Sequence, residues 1–353
     1  MASFDEKEIE ATFDKLVELG IIRYSHSAAI PLTDNGFQFE FRVCPAFKGK
    51  PFTLEDKVPT SSNSEPETFG PTSDINKSHP DQIIGYINGT HILALNIFPV
   101  YRPQFLVLTV DSSLSQDDPL SLGDIAAAWS ALKQFESPMF VIYNCTTRGG
   151  CSRRHKHLQV IPRPQPLNNE EGFQLFPDVE EGGVRVPFVH FLNRFEAGGR
   201  QTSPEEIHRT YCDLLGRCRE VLGVSENVPC PHNVVMVKEW ILVIPRRASI
   251  YKGLMVNTTG MLGMPALPDP SPLDVWRLEG PAKVLGEFGV PPSSKIKCMS
   301  LIPISQHNTF SFSRLKQVSF PAGGCLRNTA IGMPYSRPRP LSFSTLELEH
   351  RLQ

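Results

Sequence analysis

The residues able to do chemistry crowd into one stretch of this 353-residue chain, from Tyr143 to Pro162. An apolar run ends at Tyr143. A loop of small and polar residues follows, and an alternating run resumes at His155. Residues two apart in a strand point the same way, so His155, His157 and Gln159 share one face and Leu158 and Val160 the other. The loop before them carries Gly149, Gly150, Cys151 and the Ser152 hydroxyl. A glycine-rich turn with converging N–H groups suits an anion such as a phosphate. A neutral imidazole attacks phosphorus through one nitrogen when an acceptor holds the other. The expectation is therefore a histidine nucleophile beside a phosphate cradle. The competing reading makes Cys151, His155 and His157 metal ligands, although no fourth Cys or His stands nearby at zinc spacing.

His155-Lys156-His157-Leu158-Gln159, with Asn144 placed 13 residues before His157, resembles the His-x-His-x-Gln signature of the histidine-triad superfamily. More closely, the chain resembles the fungal diadenosine tetraphosphate phosphorylases (ATP adenylyltransferases), in the branch that includes galactose-1-phosphate uridylyltransferase. Four further stretches carry the likeness in order. They are Pro45-Ala46-Phe47-Lys48-Gly49-Lys50-Pro51, Leu95-Asn96-Ile97-Phe98-Pro99-Val100, His232-Asn233-Val234-Val235 through Trp240 to Pro245-Arg246, and Asn257-Thr258-Thr259-Gly260 with Gly263-Met264. The likeness spans residues 1–294.

The resemblance implies that His157 attacks the α-phosphorus of the dinucleotide and expels ATP, leaving an adenylyl-histidine that phosphate converts to ADP. It implies that His155 orients the phosphate region and that Gln159 donates to a non-bridging oxygen. A neutral amide cannot shuttle a proton as a third imidazole would, which favours transfer over hydrolysis. Lys50 is implied as a phosphate contact. Leu95, Asn96, Asn144, Gly149, Gly150, Cys151, Ser152, Asn257, Thr258, Thr259 and Met264 complete the implied substrate site. The implied partners are diadenosine tetraphosphate, ATP, ADP and phosphate, for a monomer or a homodimer. No cofactor or protein-bound metal is implied, and Mg²⁺ is expected only as a companion of the substrate. Three departures stand out: Arg153 where the family usually has Gln, Cys151 where a small hydroxyl residue is common, and Pro268 where a lysine is placed. Two other readings stay open. One is a hexose-1-phosphate uridylyltransferase-like enzyme. The other is a nucleotide-binding protein without turnover, its site blunted by Arg153 and Pro268.

Bulk properties narrow the class. A net charge of −2 argues against a nucleic-acid binder. Charged residues at 20% and hydrophobic ones at 40% suit a globular body. No apolar run reaches the roughly eighteen residues a membrane span needs. The acidic first residues lack a signal core, and the eight cysteines are scattered without a CxxC. A reducing, cytoplasmic location is expected, with the nucleus also compatible.

Periodicity supplies the elements. Helices are expected over 3–19, capped by Ser3 with Glu6 three residues on, over 118–135, with Leu122, Ile125, Ala126, Trp129 and Leu132 on one face, and over 204–222. Strands are expected over 37–44, 83–87, 91–98, 104–110, 139–143, 184–191, 232–237 and 240–244. Asn88-Gly89 marks a tight hairpin. Residues 54–81 read as a surface loop and 165–183 as an excursion. The pair 232–237 and 240–244 echoes the pair around Asn96. The expected fold is α+β: an antiparallel sheet with packed helices over 1–294, built, as the resemblance implies, from two histidine-triad-like halves. Residues 295–353 read as a divergent, poorly structured tail. Cutting the chain after Ser294 should leave the thermal midpoint and nucleotide affinity nearly unchanged. Aggregation, or a midpoint lower by many degrees, would place the tail in the core.

Overall fold

Alternating apolar side chains give a sheet two buried faces, and the elements of this chain divide between them. The computed structural model describes residues 4–50, 79–164, 172–179 and 184–292, the side chain of Ala197 apart. Most of the 54–81 loop, most of the 165–183 excursion and the tail from 295 lie outside the described residues. The described residues fall within one unit, residues 1–302.

Helix α1 (Glu6–Glu18) is capped by Asp5, not Ser3: the Asp5 carboxylate accepts from the Glu8 N–H at 3.1 Å. β1 (Ala29–Asp34) and β2 (Phe37–Val43) form a hairpin. β3 (Ile83–Ile87) and β4 (His91–Leu95) are joined through Asn88, Gly89 and Thr90, with Asn88 and Gly89 both at positive φ and the Thr90 N–H donating to the Ile87 carbonyl at 3.2 Å. β5 (Phe105–Thr109) follows. α2 (Leu122–Gln134) starts later than its apolar pattern suggests, because Ser121 and Asp124 close a capping box there. Leu122, at the first turn, is consequently 41% exposed rather than part of the buried face. β6 (Met139–Cys145) and β7 (His157–Pro162) flank the glycine loop. The strand expected over 184–191 lies further on, as β8 (Phe191–Arg194), beyond Pro187. α3 (Pro204–Leu222) carries a Ser203 cap, Pro204 at its first position and Gly223 in the left-handed conformation at its end. β9 (His232–Met236), β10 (Trp240–Pro245), β11 (Ile250–Tyr251), β12 (Leu254–Met255), α4 (Thr258–Met261), β13 (Ala266–Leu267), α5 (Ser271–Glu279) and α6 (Pro281–Phe288) complete the described chain.

The main sheet has eight strands in the order β3-β4-β5-β7-β6-β9-β10-β8, every pairing antiparallel. The first half of the chain contributes five strands and the second three. Val141, Tyr143, Leu158, Val160, Val234 and Ile241 pack into one core with Phe13, Trp129 and Tyr211 of the three long helices. Their neighbours Phe140, Ile142, Ile161, Val235 and Leu242 face the other way, toward Phe39 and Phe41 of β2, Trp276 of α5 and Phe288 of α6. The second face carries the chemistry, because the same alternation aims His157 and Gln159 there while Leu158 and Val160 anchor β7 in the helical core.

Lys156 points into the helical side. Its Nζ lies 2.7 Å from Asp124 and 2.7 Å from the Pro119 carbonyl, while His91 Nε2 reaches the other Asp124 oxygen at 3.0 Å. Burial alone would raise the Asp124 carboxyl; the bond to His91 and the charge of Lys156 outweigh it and hold the group well below the usual carboxylate range. The depressed value makes this carboxylate stabilising above its unfolded pKa, and the contribution drains away only as pH falls through the lower folded value. Removing one partner of a buried pair strands the other charge. Asp124→Ala should therefore lose about 3–5 kcal/mol in urea titrations at neutral pH. A loss under about 1 kcal/mol would contradict the role of this cluster in anchoring β7.

Candidate active site

His157 opens β7 and is 6% exposed, more deeply set than a strand-face histidine beside a cleft would suggest. Its position is fixed by Gln116, a buried residue with no periodic signal in the sequence. The Gln116 oxygen accepts from the His157 N–H at 2.8 Å, and its amide donates to the carbonyls of Asn144 and His157, each at 3.0 Å. The His157 Nδ1–H donates to the His155 carbonyl at 2.8 Å. A carbonyl only accepts, so the proton sits on Nδ1 and the Nε2 lone pair is open. Burial, assisted by Arg153, the His155 imidazole and Lys50 against the opposing His155 carbonyl, pushes His157 down to about 4. The imidazole is neutral at physiological pH.

His155 serves through its backbone instead of its ring. Its own Nε2 turns to the Thr109 carbonyl at 2.8 Å and the Thr109 hydroxyl at 3.0 Å, and the side chain does not line the cavity. The expectation of two imidazoles working on one face is corrected accordingly: His155 precedes β7, in an isolated bridge to Ser115. Among the described residues no three His, Cys, Asp or Glu side chains gather as a metal site, so Cys151, His155 and His157 do not form one.

His157 faces a cavity of about 610 Å³. Lys50, Asn96, Asn144, Gly150, Cys151, Ser152, Gln159, Asn257 and Thr259 line it, as the sequence suggested. Leu95, Gly149, Thr258 and Met264 do not line it; they lie behind the wall. Sequence reasoning missed the apolar lining of Phe47, Phe98, Tyr101 and Trp276. Pro268 lines the cavity too. Asn144 is 2% exposed, and its Oδ1 accepts from the Thr258 N–H at 2.8 Å and the Thr258 hydroxyl at 2.7 Å. Asn144 thus pins the start of α4 to β6, and Thr258 acts in the wall rather than on a ligand. Burial pushes the Cys151 thiol up to about 12, which leaves it unreactive.

The glycine loop works differently from a cradle of free N–H groups. The N–H groups of Gly149 and Cys151 donate to the Thr146 carbonyl at 3.1 and 3.3 Å, and that of Gly150 to the Thr147 carbonyl at 2.9 Å. The turn consumes its own donors. Its glycines serve close packing instead: a Cβ on Gly149 would lie 2.1 Å from the Cys145 carbonyl oxygen. A Cβ on Gly150, at φ +88°, would lie 2.6 Å from the Val256 oxygen and 2.7 Å from the Asn257 Cα. Side chains able to donate line the cavity as well: Lys50, Ser152 and Gln159, whose own oxygen is engaged by Gln104 Nε2 at 2.7 Å.

An eight-stranded antiparallel sheet sets His157 and Gln159 of β7 over a cavity of about 610 Å³ in an α+β fold. Two family models match side by side: the Ap4A (diadenosine tetraphosphate) phosphorylase N-terminal domain over residues 6–173 and the ATP adenylyltransferase C-terminal domain over residues 184–291. Together they take in well over half of the chain, which belongs to the ATP adenylyltransferase (Ap4A phosphorylase) family. It is similar to Protein APA1 of Saccharomyces cerevisiae, 26% identical over 200 residues, covering 51% of this chain and 62% of that protein. It is also similar to diadenosine 5',5'''-P1,P4-tetraphosphate phosphorylase 2 of the same yeast, 27% identical over 218 residues, covering 53% of this chain and 65% of that protein. The chain spans less than two thirds of the length of either yeast protein. The crystal structure of yeast Ap4A phosphorylase Apa2 shares the fold, with a TM-score of 0.64 at 22% identity over 83% of this chain and 97% of that one. The Apa2 complex with AMP gives 0.65 at 23% identity, over 83% and 100%.

Lys50 generates a testable pH dependence. Burial, then the Arg153 charge, lowers its ammonium to about 8. The cation is present below that value and lost above it. The affinity of the free protein for a nucleotide polyphosphate should therefore fall as pH rises through about 8. Lys50→Met should bind at least about tenfold more weakly at pH 7 and lack the inflection. An unchanged inflection in Lys50→Met would assign it to another group.

Proposed function

We propose that this chain cleaves diadenosine tetraphosphate with inorganic phosphate, giving ATP and ADP through an adenylyl group carried on His157 Nε2. The observation that carries the proposal is the neutral, buried imidazole of His157, held by the His155 carbonyl with Nε2 open to the cavity. The Nε2 lone pair forms a bond to the α-phosphorus. The bond from that phosphorus to its bridging oxygen breaks, and ATP leaves with the electron pair. The imidazole becomes cationic as it is adenylylated, and its Nδ1–H still points at the carbonyl dipole of His155, which stabilises that charge. A phosphate oxygen then attacks the same phosphorus, the P–N bond breaks, and ADP departs from a neutral imidazole. Lys50 and Gln159 face the phosphate charge throughout. Losing one such preorganised donor costs on the order of 3 kcal/mol.

The family assignment and the ligands of the related Apa2 crystals, which hold Ap4A or AMP, support this reading. Protein groups supply the positive charge at the site, so we place no resident metal in it; Mg²⁺ would arrive with the substrate. A reducing, cytoplasmic setting belongs to the same proposal, and the six described cysteines carry free thiols. Incubating the protein with diadenosine tetraphosphate and phosphate should yield equimolar ATP and ADP. His157→Ala should reduce turnover by at least about 10⁴-fold while leaving the thermal midpoint within a few degrees. Wild-type turnover in His157→Ala, or products only from UDP-glucose, would sink the proposal.

A further inference from the structure

Gln159 is an amide, and an amide has two ends: one donates and the other accepts. Which end faces the cavity decides whether the residue helps or opposes an anionic phosphoryl group. The neighbouring Gln104 fixes it. Gln104 is 5% exposed and stands immediately before β5, with its carbonyl accepting the Asn96 N–H at 2.9 Å. Its Oε1 accepts from the Val100 backbone N–H at 2.7 Å. A backbone N–H can only donate, so Gln104 Oε1 must face it and Gln104 Nε2 must face away. That Nε2 lies 2.7 Å from Gln159 Oε1 and donates to it. Gln159 is left with only one orientation that satisfies the chain, with its own Nε2 toward the cavity. The polarity runs in one direction from the Val100 amide through two carboxamides to the site.

We propose that Gln104 is a positioning residue that locks Gln159 in its donor-out orientation, with the Val100 N–H as the fixed end of the relay. The proposal deepens the phosphorolysis reading and rests on it, since the group to be recognised is the α-phosphoryl of the dinucleotide. Gln104→Glu is the decisive change because it keeps the shape and reverses the polarity. One carboxylate oxygen still accepts from Val100. The other demands a donor, so Gln159 must turn its Nε2 inward and present its carbonyl oxygen to the phosphoryl group. Protonating the introduced carboxyl restores a donor and the original orientation.

The test is a double-mutant cycle of Gln104→Glu with Gln159→Ala, read as kcat, KM and thermal midpoint across pH. Gln104→Glu should lower kcat about 100-fold at pH 8, the scale of a lost transition-state donor, with KM changed by less than about threefold. The deficit should shrink as pH falls from about 7 toward 5, the range in which a buried carboxyl regains its proton. In the Gln159→Ala background the same substitution should cost less than about twofold. Gln104→Met breaks the relay without adding charge and serves if the carboxylate unfolds the protein. It should lose about tenfold, independently of pH, and nothing further once Gln159 is Ala. Equal losses with and without Gln159, or a pH-independent deficit in a folded Gln104→Glu protein, would overturn the proposal. So would wild-type kcat in both Gln104 variants. AMP affinity by calorimetry is measured on the same four proteins. Wild-type protein that binds AMP but makes no ATP and ADP would refute phosphorolysis, while the thermal-midpoint cycle still tests the relay: additive midpoint losses for Gln104→Glu and Gln159→Ala would overturn it.

Discussion

Arg246 is fully buried at the meeting point of the segments that form the site. Its guanidinium donates to the Gly149 carbonyl at 3.1 Å, to Asn233 Oδ1 at 2.6 Å, and to the Val256 and Ala248 carbonyls at 2.7 and 3.2 Å. Nε reaches the Phe288 carbonyl at 3.4 Å. Among the described residues every acceptor is a carbonyl or amide oxygen and none is a carboxylate. Burial pushes the group down to about 9, still above neutral pH, so a net positive charge is held in a low-dielectric place. That one charge ties the glycine loop, β9, the segment before α4 and the end of α6 to a common centre. Desolvating it is costly, and five oriented acceptors offset the cost. The close contacts at Gly149 and Gly150 follow from it, because the loop can approach Val256 and Asn257 so nearly only if something draws both inward.

With the loop fixed in this way, recognition of an anion passes to side chains. The turn N–H groups are spent on Thr146 and Thr147. What remains is a set of side chains held by second residues: Gln159 by Gln104, His157 by Gln116 and the His155 carbonyl, and Asn144 locked to Thr258. β7 carries the two roles on its two faces. Leu158 and Val160 hold it to the helical core, and Lys156, just before it, is bound into the Asp124 cluster. A shift of β7 by one residue would exchange the reactive and anchoring faces, so the buried ion pair keeps the chemistry in register.

Much of this was legible in the residues. α3 matches its expected span because Ser203, Pro204 and Gly223 are local signals that tertiary packing does not override. The Asn88-Gly89 hairpin is likewise local. β1 went unseen because it is a half-exposed edge strand containing Pro31, and α5 and α6 because prolines and Gly280 interrupt their period. In the site, strand alternation put His157 and Gln159 on one face, and the family resemblance brought Lys50 and Asn144 to them. Neither could reveal that His155 contributes a carbonyl, that the loop consumes its own N–H groups, or that Arg246 lies fully buried. A buried arginine or glutamine reads in sequence like an exposed one. Only the contacts made by segments such as 96–104 and 246–257 distinguish them.

In the proposed reaction His157 carries the adenylyl group between two displacements. The most direct measurement is a single-turnover reaction with diadenosine tetraphosphate labelled at the α-phosphorus, in the absence of phosphate, followed by peptide mapping. A burst of ATP approaching one equivalent per site is expected, with acid-labile, base-stable label on the peptide containing His157 that is discharged as ADP when phosphate is added. ATP release that requires phosphate from the first turnover, with no label on that peptide, would contradict it.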